Sequence, residues 1–318
     1  MALFLTENDV KQVLNATMAL EAVESAHREL ALGLASDTPR ARSRLPQTVL
    51  HILQGALPAQ GVLGYKAYTS NRSGNRFLLY LFDAATGTMQ AVIEADYLGM
   101  MRTGAASGMA TRWLARDDAA VAGVFGSGWQ AEGHIRALCA ARPIRLVKVF
   151  ARKQERLQAF CARMRDLTGV EVVAAATPEE TVRESDILGT VTTASQPLFE
   201  ADWVAPGTHI NAAGSNALVR QEVSEALLRR CALISVDSIP TALAEAGDLL
   251  PLLEKGRLHA RQLVEIGEII AGHRAGRQSS EQITIFESQG MAIQDLALGV
   301  RVLAAARELG LGQELPLK

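Results

Sequence analysis

The stretch Val121-Ala-Gly-Val-Phe-Gly-Ser-Gly-Trp-Gln-Ala131 predicts a buried strand, a glycine turn and the start of a helix. Its spacing, Gly126-x-Gly128-x-x-Ala131, is typical of a dinucleotide-binding turn. There the first glycine makes the tight turn, the second admits a pyrophosphate, and the small third residue lets helix pack on strand. The helix N-terminus then presents unpaired N–H groups to the phosphates. Such turns also use glycine for steric reasons alone, so the surrounding pattern has to decide.

Strand and helix patterns alternate along the chain around this turn. The alternation predicts a parallel, doubly wound sheet with helices on both faces, and the glycine turn follows its first strand. The predicted strands are 119–125, 144–150, 170–174, 187–191, 209–212 and 233–236, with a late strand at 282–286. The predicted helices are 129–141, 154–168, 178–183 and 220–229.

The chain before residue 116 has a different pattern of predicted elements. Two helices, the first capped by Thr6 with Asp9, precede neighbouring strands at 48–53, 62–69, 77–82 and 89–93, which predict a largely antiparallel sheet. A long helix at 95–116 carries small residues that would let another element come very close. A final helix at 291–309 is long enough to return to this part. The predicted domains are therefore 1–115 with 290–318, and 116–289.

Composition excludes several classes of protein. The 318 residues carry a net charge of -2, which gives no reason to expect nucleic acid or an anionic membrane as partner. The three cysteines are scattered and lack zinc-ligand spacing, so we expect reduced thiols, a cytoplasmic location and no metal. We find no signal peptide, and no apolar run reaches the roughly 18 residues of a membrane span.

The residues after the second strand of the alternating part bear on the choice of nicotinamide cofactor. NAD-binding units usually place a carboxylate there to hold the ribose hydroxyls. Here Phe150 is followed by Ala151, Arg152 and Lys153. The two basic residues would suit a 2′-phosphate, or they are simply solvated at the start of a helix. We therefore favour NADP(H), with NAD(H) as the alternative.

Two isolated cations lie in apolar segments of the first part. Lys66 occurs in the strand Gly64-Tyr-Lys-Ala-Tyr68, and Arg102 occurs in the long helix. A buried cation needs a partner, because an unpaired buried charge is costly. Either the two pair with Glu94 or Asp96, or they bind the carboxylate of a substrate.

Motifs spread over nearly the whole chain resemble the ornithine cyclodeaminase/mu-crystallin family. They are Gly64-Tyr-Lys66, Asp83-Ala-Ala-Thr-Gly87, Arg102-Thr-Gly-Ala-Ala-Ser107, Gly126-Ser-Gly-Trp-Gln-Ala131, Pro206-Gly-Thr-His-Ile-Asn-Ala-Ala-Gly214, Glu245-Ala-Gly-Asp248 and Phe286-Glu-Ser-Gln-Gly-Met-Ala292. The resemblance implies an α/β fold: a Rossmann domain plus an α+β substrate-binding and dimerisation domain, completed by the C-terminal helix. It also implies a homodimer.

The resemblance further implies roles for individual residues. In the family an early arginine, the strand lysine and the helix arginine bind the substrate carboxylate, which points to Arg42, with Arg44 as a competitor, and to Lys66 and Arg102. The predicted catalytic residues are Lys66, Arg102 and Asn216, with Lys66 as a candidate proton relay. The cofactor-binding candidates are Thr103, Gly126, Ser127, Gly128, Trp129, Gln130, Arg152, Lys153, Val191, Thr192, Ser288 and Met291.

One departure from the family pattern bears on the reaction. Ornithine cyclodeaminases carry an aspartate just after Ile-Asn-x-x-Gly, where this chain has Asn216. An amide cannot act as a carboxylate base or pair with an ammonium. The resemblance therefore favours an NAD(P)H-dependent reductase of cyclic 2-imino acids in proline metabolism. The alternatives are an ornithine cyclodeaminase with bound NAD, a mu-crystallin-like small-ligand binder that depends on NADPH, and an alanine dehydrogenase.

Overall fold

The computed structural model describes residues 2–316, which form two compact units. One unit comprises residues 2–102 with 290–316, and the other comprises residues 103–289. The division falls inside a helix, between Arg102 and Thr103, whereas the sequence pattern placed it after residue 115. Within the described chain, no helix combines the length and the apolar character that crossing a membrane requires.

The regular elements follow one another in chain order. Up to residue 114 they are β1 (Ala2–Leu5), α1 (Glu7–Val13), α2 (Ala16–Ala31), β2 (Ser36–Arg44), β3 (Thr48–Leu57), β4 (Val62–Asn71), β5 (Gly74–Asp83), β6 (Met89–Glu94) and α3 (Asp96–Leu114). Next come β7 (Val121–Phe125), α4 (Trp129–Ala141), β8 (Leu146–Phe150), α5 (Gln154–Thr168), β9 (Glu171–Ala174), α6 (Pro178–Val182), β10 (Ile187–Thr190) and β11 (His209–Ala212). The last are α7 (Glu225–Arg230), β12 (Cys231–Val236), α8 (Ile239–Glu245), α9 (Leu250–Glu254), β13 (Leu263–Glu265), α10 (Ile266–Ile270), β14 (Ile283–Glu287), α11 (Ala292–Glu308) and β15 (Gln313–Leu315).

The first unit is built on a seven-stranded sheet of order β15-β1-β6-β5-β4-β3-β2. Its pairs are antiparallel except for β1 with β6, which confirms the predicted antiparallel character. Helix α11 packs against one face so closely that a Cβ on Gly64 would lie 2.9 Å from Leu296 Cδ2. The returning helix therefore supplies part of the core of this unit, as predicted.

The second unit is an eight-stranded sheet of order β13-β12-β14-β11-β10-β7-β8-β9, and every pair is parallel. The chain proceeds outward from β7 to β8 and β9 on one side, and then returns to β10 on the other. The point where the order reverses, between β7 and β10, is where open α/β sheets bind ligands at the carboxyl ends of their strands. The predicted doubly wound fold is thus confirmed.

Helices α3 and α4 make a very close contact within the second unit. A Cβ on Gly104 would lie 2.2 Å from the carbonyl oxygen of Gly133, so only glycine fits there. The small-residue run in α3 thus has the packing role that its composition predicted. The predicted helix 220–229 is shorter in the structure: α7 begins at Glu225, because Ser224 caps it and residues 213–223 form a loop.

Candidate active site

The glycine turn between β7 and α4 has the geometry of a phosphate-binding turn. Gly126 has a φ of 120°, and a Cβ there would lie 3.0 Å from the carbonyl oxygen of Val191. Gly128 is the N-cap residue of α4, no side chain caps that helix end, and a Cβ on Gly128 would meet no atom within 4 Å. The N–H groups of the first turn of α4 are therefore open to an anion, so the residues present fit the pyrophosphate of a dinucleotide.

The other predicted cofactor residues of the turn lie at the same edge of the sheet. Trp129 and Gln130 are exposed, and Ser127 is half-buried. The backbone N–H of Val191 donates to the carbonyl of Phe125, which joins the ends of β10 and β7. Arg152 and Lys153 are exposed between β8 and α5, where an NAD-binding unit would carry an acid.

Buried carboxylates support the loop 213–223 beside this edge. Glu222 accepts hydrogen bonds from the hydroxyl of Thr190 (2.7 Å), the backbone N–H of Thr192 (2.6 Å) and that of Gly214 (2.8 Å). Asp248 in turn accepts from the backbone N–H of Glu222 (2.8 Å). Burial raises the pKa of Glu222 and of Asp248. These acids were not predicted as site residues, and their contacts give them a scaffolding role.

Asn216 lies in the supported loop. Its Oδ1 accepts a hydrogen bond from Arg220 Nη1 at 2.8 Å. The position at which the lyases of the family are expected to carry an aspartate thus holds an amide that is engaged by a cation of this chain.

In the first unit, Lys66 and Arg102 converge on one carboxylate. Lys66 Nζ donates to Asp295 Oδ2 at 2.6 Å, and Arg102 Nε donates to Asp295 Oδ1 at 3.1 Å. The side chains of Lys66 and Asp295 are 2% and 0% exposed, and that of Arg102 is 11% exposed. The structure therefore brings together the two predicted cations, but their partner is Asp295 of α11 instead of Glu94 or Asp96.

The electrostatics of this cluster leave an excess of positive charge. Burial and, to a smaller extent, the charge of Arg102 lower the pKa of Lys66, Asp295 opposes both effects, and the net result is a pKa of about 7. Two buried cations that share one carboxylate can bind a second anion, because the negative charge of that anion would neutralise the remaining positive charge. The cluster can thus bind a carboxylate.

The early arginines lie along β2. Arg42 is half-buried and Arg44 is exposed, while the charge that acts on Lys66 is that of Arg40. Strand alternation puts the side chains of residues 40, 42 and 44 on one face, so the sequence pattern alone had no means of choosing among them. The pairing of β2 with β3 is also irregular between Thr38 and Ala41, which a sequence pattern does not show.

The remaining predicted residues are Thr103, Ser288 and Met291. Thr103 follows Arg102 in α3 and is half-buried. In the second unit, the hydroxyl of Ser288 donates to Asp237 Oδ2 at 3.3 Å. In the first, Met291 is buried as the N-cap residue of α11, and a Cβ on Gly290 would lie 2.7 Å from Arg102 Nη1.

A doubly wound sheet with an uncapped glycine turn, together with a buried lysine–arginine pair, defines a class of nicotinamide-dinucleotide-dependent enzymes that act on small carboxylic acids. Within that class, the chain belongs to the ornithine cyclodeaminase/mu-crystallin family, whose sequence model matches residues 1–308.

Relatives and solved structures agree with this assignment. The chain is 31% identical to the Δ1-pyrroline-2-carboxylate reductase of Bacillus cereus over 98% of this chain and 99% of the relative. The structure of Thermococcus litoralis Δ1-pyrroline-2-carboxylate reductase, in complex with NADH and L-proline, matches with a TM-score of 0.94 and 29% identity, covering 98% of this chain and all of the other. An archaeal alanine dehydrogenase dimer with bound NAD matches with a TM-score of 0.93 and 32% identity, covering 100% and 99%.

These findings confirm the predicted family and fold. They also confirm the prediction of an NAD(P)H-dependent oxidoreductase of the imine reductase type.

Proposed function

We propose that the protein reduces cyclic 2-imino acids, converting Δ1-pyrroline-2-carboxylate to proline and Δ1-piperideine-2-carboxylate to pipecolate. The observation that carries this proposal is the buried pair of cations, Lys66 and Arg102, with Asp295 as their shared carboxylate. The names of the B. cereus and T. litoralis relatives support the same substrate.

In the proposed mechanism Lys66, Arg102 and an arginine of β2 bind the substrate carboxylate. Arg42 is the proposed third ligand, as the family resemblance implies, and Arg40 is a further candidate on the same strand because its charge contributes to the lowered pKa of Lys66. The bound dinucleotide supplies the hydride chemistry, and the glycine turn with the first turn of α4 would hold its pyrophosphate. A lysine with a pKa of about 7 exchanges protons near neutral pH, so Lys66 suits the proton-relay role.

The reaction is tested with the purified protein, Δ1-pyrroline-2-carboxylate and each reduced cofactor. We expect cofactor oxidation with formation of proline. Arg102→Ala should lower kcat/KM roughly 100-fold, because hydrogen bonds between charged groups are worth about 1.5–3 kcal/mol each. Arg165→Gln, which removes an exposed arginine near the end of α5, is the control and should leave the rate unchanged.

NADP(H) is the proposed cofactor in preference to NAD(H). The basic pair Arg152 and Lys153 supports this, since a guanidinium binds a phosphate in a bidentate manner. The solved relatives named above hold NADH or NAD. The ratio of kcat/KM for NADPH to that for NADH should fall about tenfold or more in Arg152→Asp, and an unchanged ratio would show that Arg152 does not contact the 2′-phosphate.

A homodimer is the proposed assembly, formed through the face of the first-unit sheet opposite α11. Tyr65 and Tyr80 stack there with ring centroids 4.6 Å apart, and Leu50 and Leu63 are 37% and 39% exposed. An apolar face of this kind is typical of an interface. The archaeal alanine dehydrogenase, which is a dimer, supports the assembly. Leu63→Glu should shift the mass measured by light scattering from dimer to monomer.

The lyase and binder alternatives give different outcomes in the same assay. The amide of Asn216, which cannot act as a carboxylate base or pair with an ammonium, supports a reductase over an ornithine cyclodeaminase. Release of ammonia from ornithine without consumption of NAD(P)H would identify a lyase, and Asn216→Asp should then increase it. Tight binding of NADPH without turnover of any imine would identify a binder. Oxidation of alanine would identify an alanine dehydrogenase.

A further inference from the structure

A buried histidine extends the cation cluster of the first unit. His27 of α2 is 1% exposed, and its Nε2 lies 3.0 Å from Nε2 of Gln294, a residue of α11. The amide oxygen of Gln294 in turn accepts a hydrogen bond from Arg102 Nη1 at 3.1 Å. Three helices thus contribute one residue each to a chain of hydrogen bonds that ends on the proposed carboxylate ligand.

The direction of each bond in this chain is fixed by chemistry. A guanidinium only donates, so Gln294 must present its Oε1 to Arg102. Its Nε2 therefore faces His27 as a donor, and Nε2 of His27 must accept with its lone pair. His27 is then the neutral tautomer with its proton on Nδ1. Burial, which lowers the pKa of His27 to about 4, agrees with a neutral ring.

We propose that His27 is a positioning residue: by accepting from Gln294, it holds the amide in the orientation that keeps the Arg102 guanidinium aligned for the substrate carboxylate. The backbone N–H of Met291 also donates to Gln294 Oε1, but at 3.5 Å this contact is long and holds the amide only weakly. Without an acceptor at position 27, the NH2 group of the amide loses its partner in α2. A rotated amide would direct that group at Arg102, so that two donors would face each other.

The role rests on the proposed function, because it acts through the carboxylate that Arg102 is proposed to bind. Arg102 would hold that carboxylate equally in the ground state and in the transition state. Loss of alignment should therefore raise KM and the dissociation constant of the product and leave kcat unchanged.

The decisive comparison is between two variants of the same position. His27→Phe keeps the volume of the ring and removes the acceptor, whereas His27→Gln places an amide oxygen near the position of Nε2. We expect His27→Phe to raise KM for Δ1-pyrroline-2-carboxylate about tenfold with kcat within about twofold, since one aligned hydrogen bond corresponds to roughly that factor. His27→Gln should restore most of the affinity.

A binding measurement tests the role of His27 independently of the reaction. By titration calorimetry, the dissociation constant of L-proline for the NADP⁺-loaded protein should rise by the same factor in His27→Phe and recover in His27→Gln. A fall in kcat and in melting temperature at unchanged KM would reveal a packing role and overturn the proposal. If the wild-type protein binds L-proline but reduces no imine, the proposed reaction fails and the effect on binding still decides the role of His27. If it does not bind L-proline, both fail.

Discussion

At the scale of single residues, the buried lysine dominates the account. The sequence pointed to Lys66 and Arg102 because isolated cations in apolar segments are unusual. It did not point to Asp295, which lies 229 positions from Lys66, or to His27, which lies 267 positions from its partner Gln294. Contacts over such separations depend on how α11 returns to the sheet, and no local pattern encodes them. The cations were therefore predictable and their partners were not.

Ligand binding should be coupled to protonation of Lys66. Its pKa is lowered to about 7 in the folded protein, so the side chain is mostly neutral at pH 8.5. A bound carboxylate favours the charged form, and binding of L-proline to the NADP⁺-loaded protein at that pH should take up about one proton. Calorimetry in buffers of different ionisation enthalpy measures this uptake. Lys66→Arg, which stays protonated throughout, should abolish it.

The same pKa sets the direction of two pH profiles. For the reaction, kcat/KM should fall as the pH rises through about 7 if charged Lys66 is the form that binds.

The stability of the fold should depend on the same group. Between about pH 7 and the ordinary pKa of 10.5, Lys66 is protonated in the unfolded chain and mostly neutral in the folded protein. The free energy of unfolding contributed by Lys66 therefore rises with pH across that window. A kcat/KM that rises through about pH 7 would contradict binding by charged Lys66, and a free energy of unfolding that falls with pH across the window would contradict the lowered pKa.

Replacement of Asp295 by asparagine tests the energetic weight of the shared carboxylate. The variant removes the anion that Arg102 pairs with, and a guanidinium cannot deprotonate in response, so the free energy of unfolding should drop by about 3–5 kcal/mol in urea titrations. Glu21→Gln is a matched control. It removes a carboxylate that pairs at an exposed site with Arg301, a residue of α11 like Asp295. There the loss should stay below about 0.5 kcal/mol. Similar losses in both variants would contradict the buried pairing.

At the scale of elements, the sequence predicted the helix caps and strands that depend on neighbouring residues in the chain. The capping of α1 by Thr6 and Asp9 is present, with Thr6 N–H donating to Asp9 Oδ2 at 2.9 Å. Seven of the eight strands of the doubly wound sheet were also predictable, because buried parallel strands read as continuous apolar runs. The short strands β1, β13 and β15 were not predicted. Each has at most four residues, and their pairing partners lie far along the chain, so tertiary pairing defines them.

Two glycines of α3 should respond to alanine in opposite ways. A Cβ on Gly104 would lie 2.2 Å from a backbone oxygen that has no freedom to move, so Gly104→Ala should destabilise the protein by about 2 kcal/mol or more. A Cβ on Gly99 would meet no atom within 4 Å, and Gly99→Ala should stabilise the helix by about 0.5–1 kcal/mol. Thermal melts of both variants check the pair, and a stable Gly104→Ala variant would refute the close helix contact.

At the scale of the whole molecule, the fold and the family could be predicted from the sequence, because many motifs of the family occur in the expected order along the chain. The match of the family model to residues 1–308 confirms that level of inference. The full set of substrate-binding residues could not be predicted from the sequence in the same way. Arg40, Arg42 and Arg44 share a strand face by alternation, and only the structure shows which charge acts on Lys66.

The buried Lys66–Arg102 pair is proposed to recognise the carboxylate of a cyclic imine. The most direct test compares Δ1-pyrroline-2-carboxylate with Δ1-pyrroline, the same ring without the carboxylate, by following oxidation of NADPH by the purified protein. We expect kcat/KM for the ring without the carboxylate to be lower by a factor on the order of 1,000, in line with the loss of two or more charged hydrogen bonds. Equal rates for the two rings would contradict the claim.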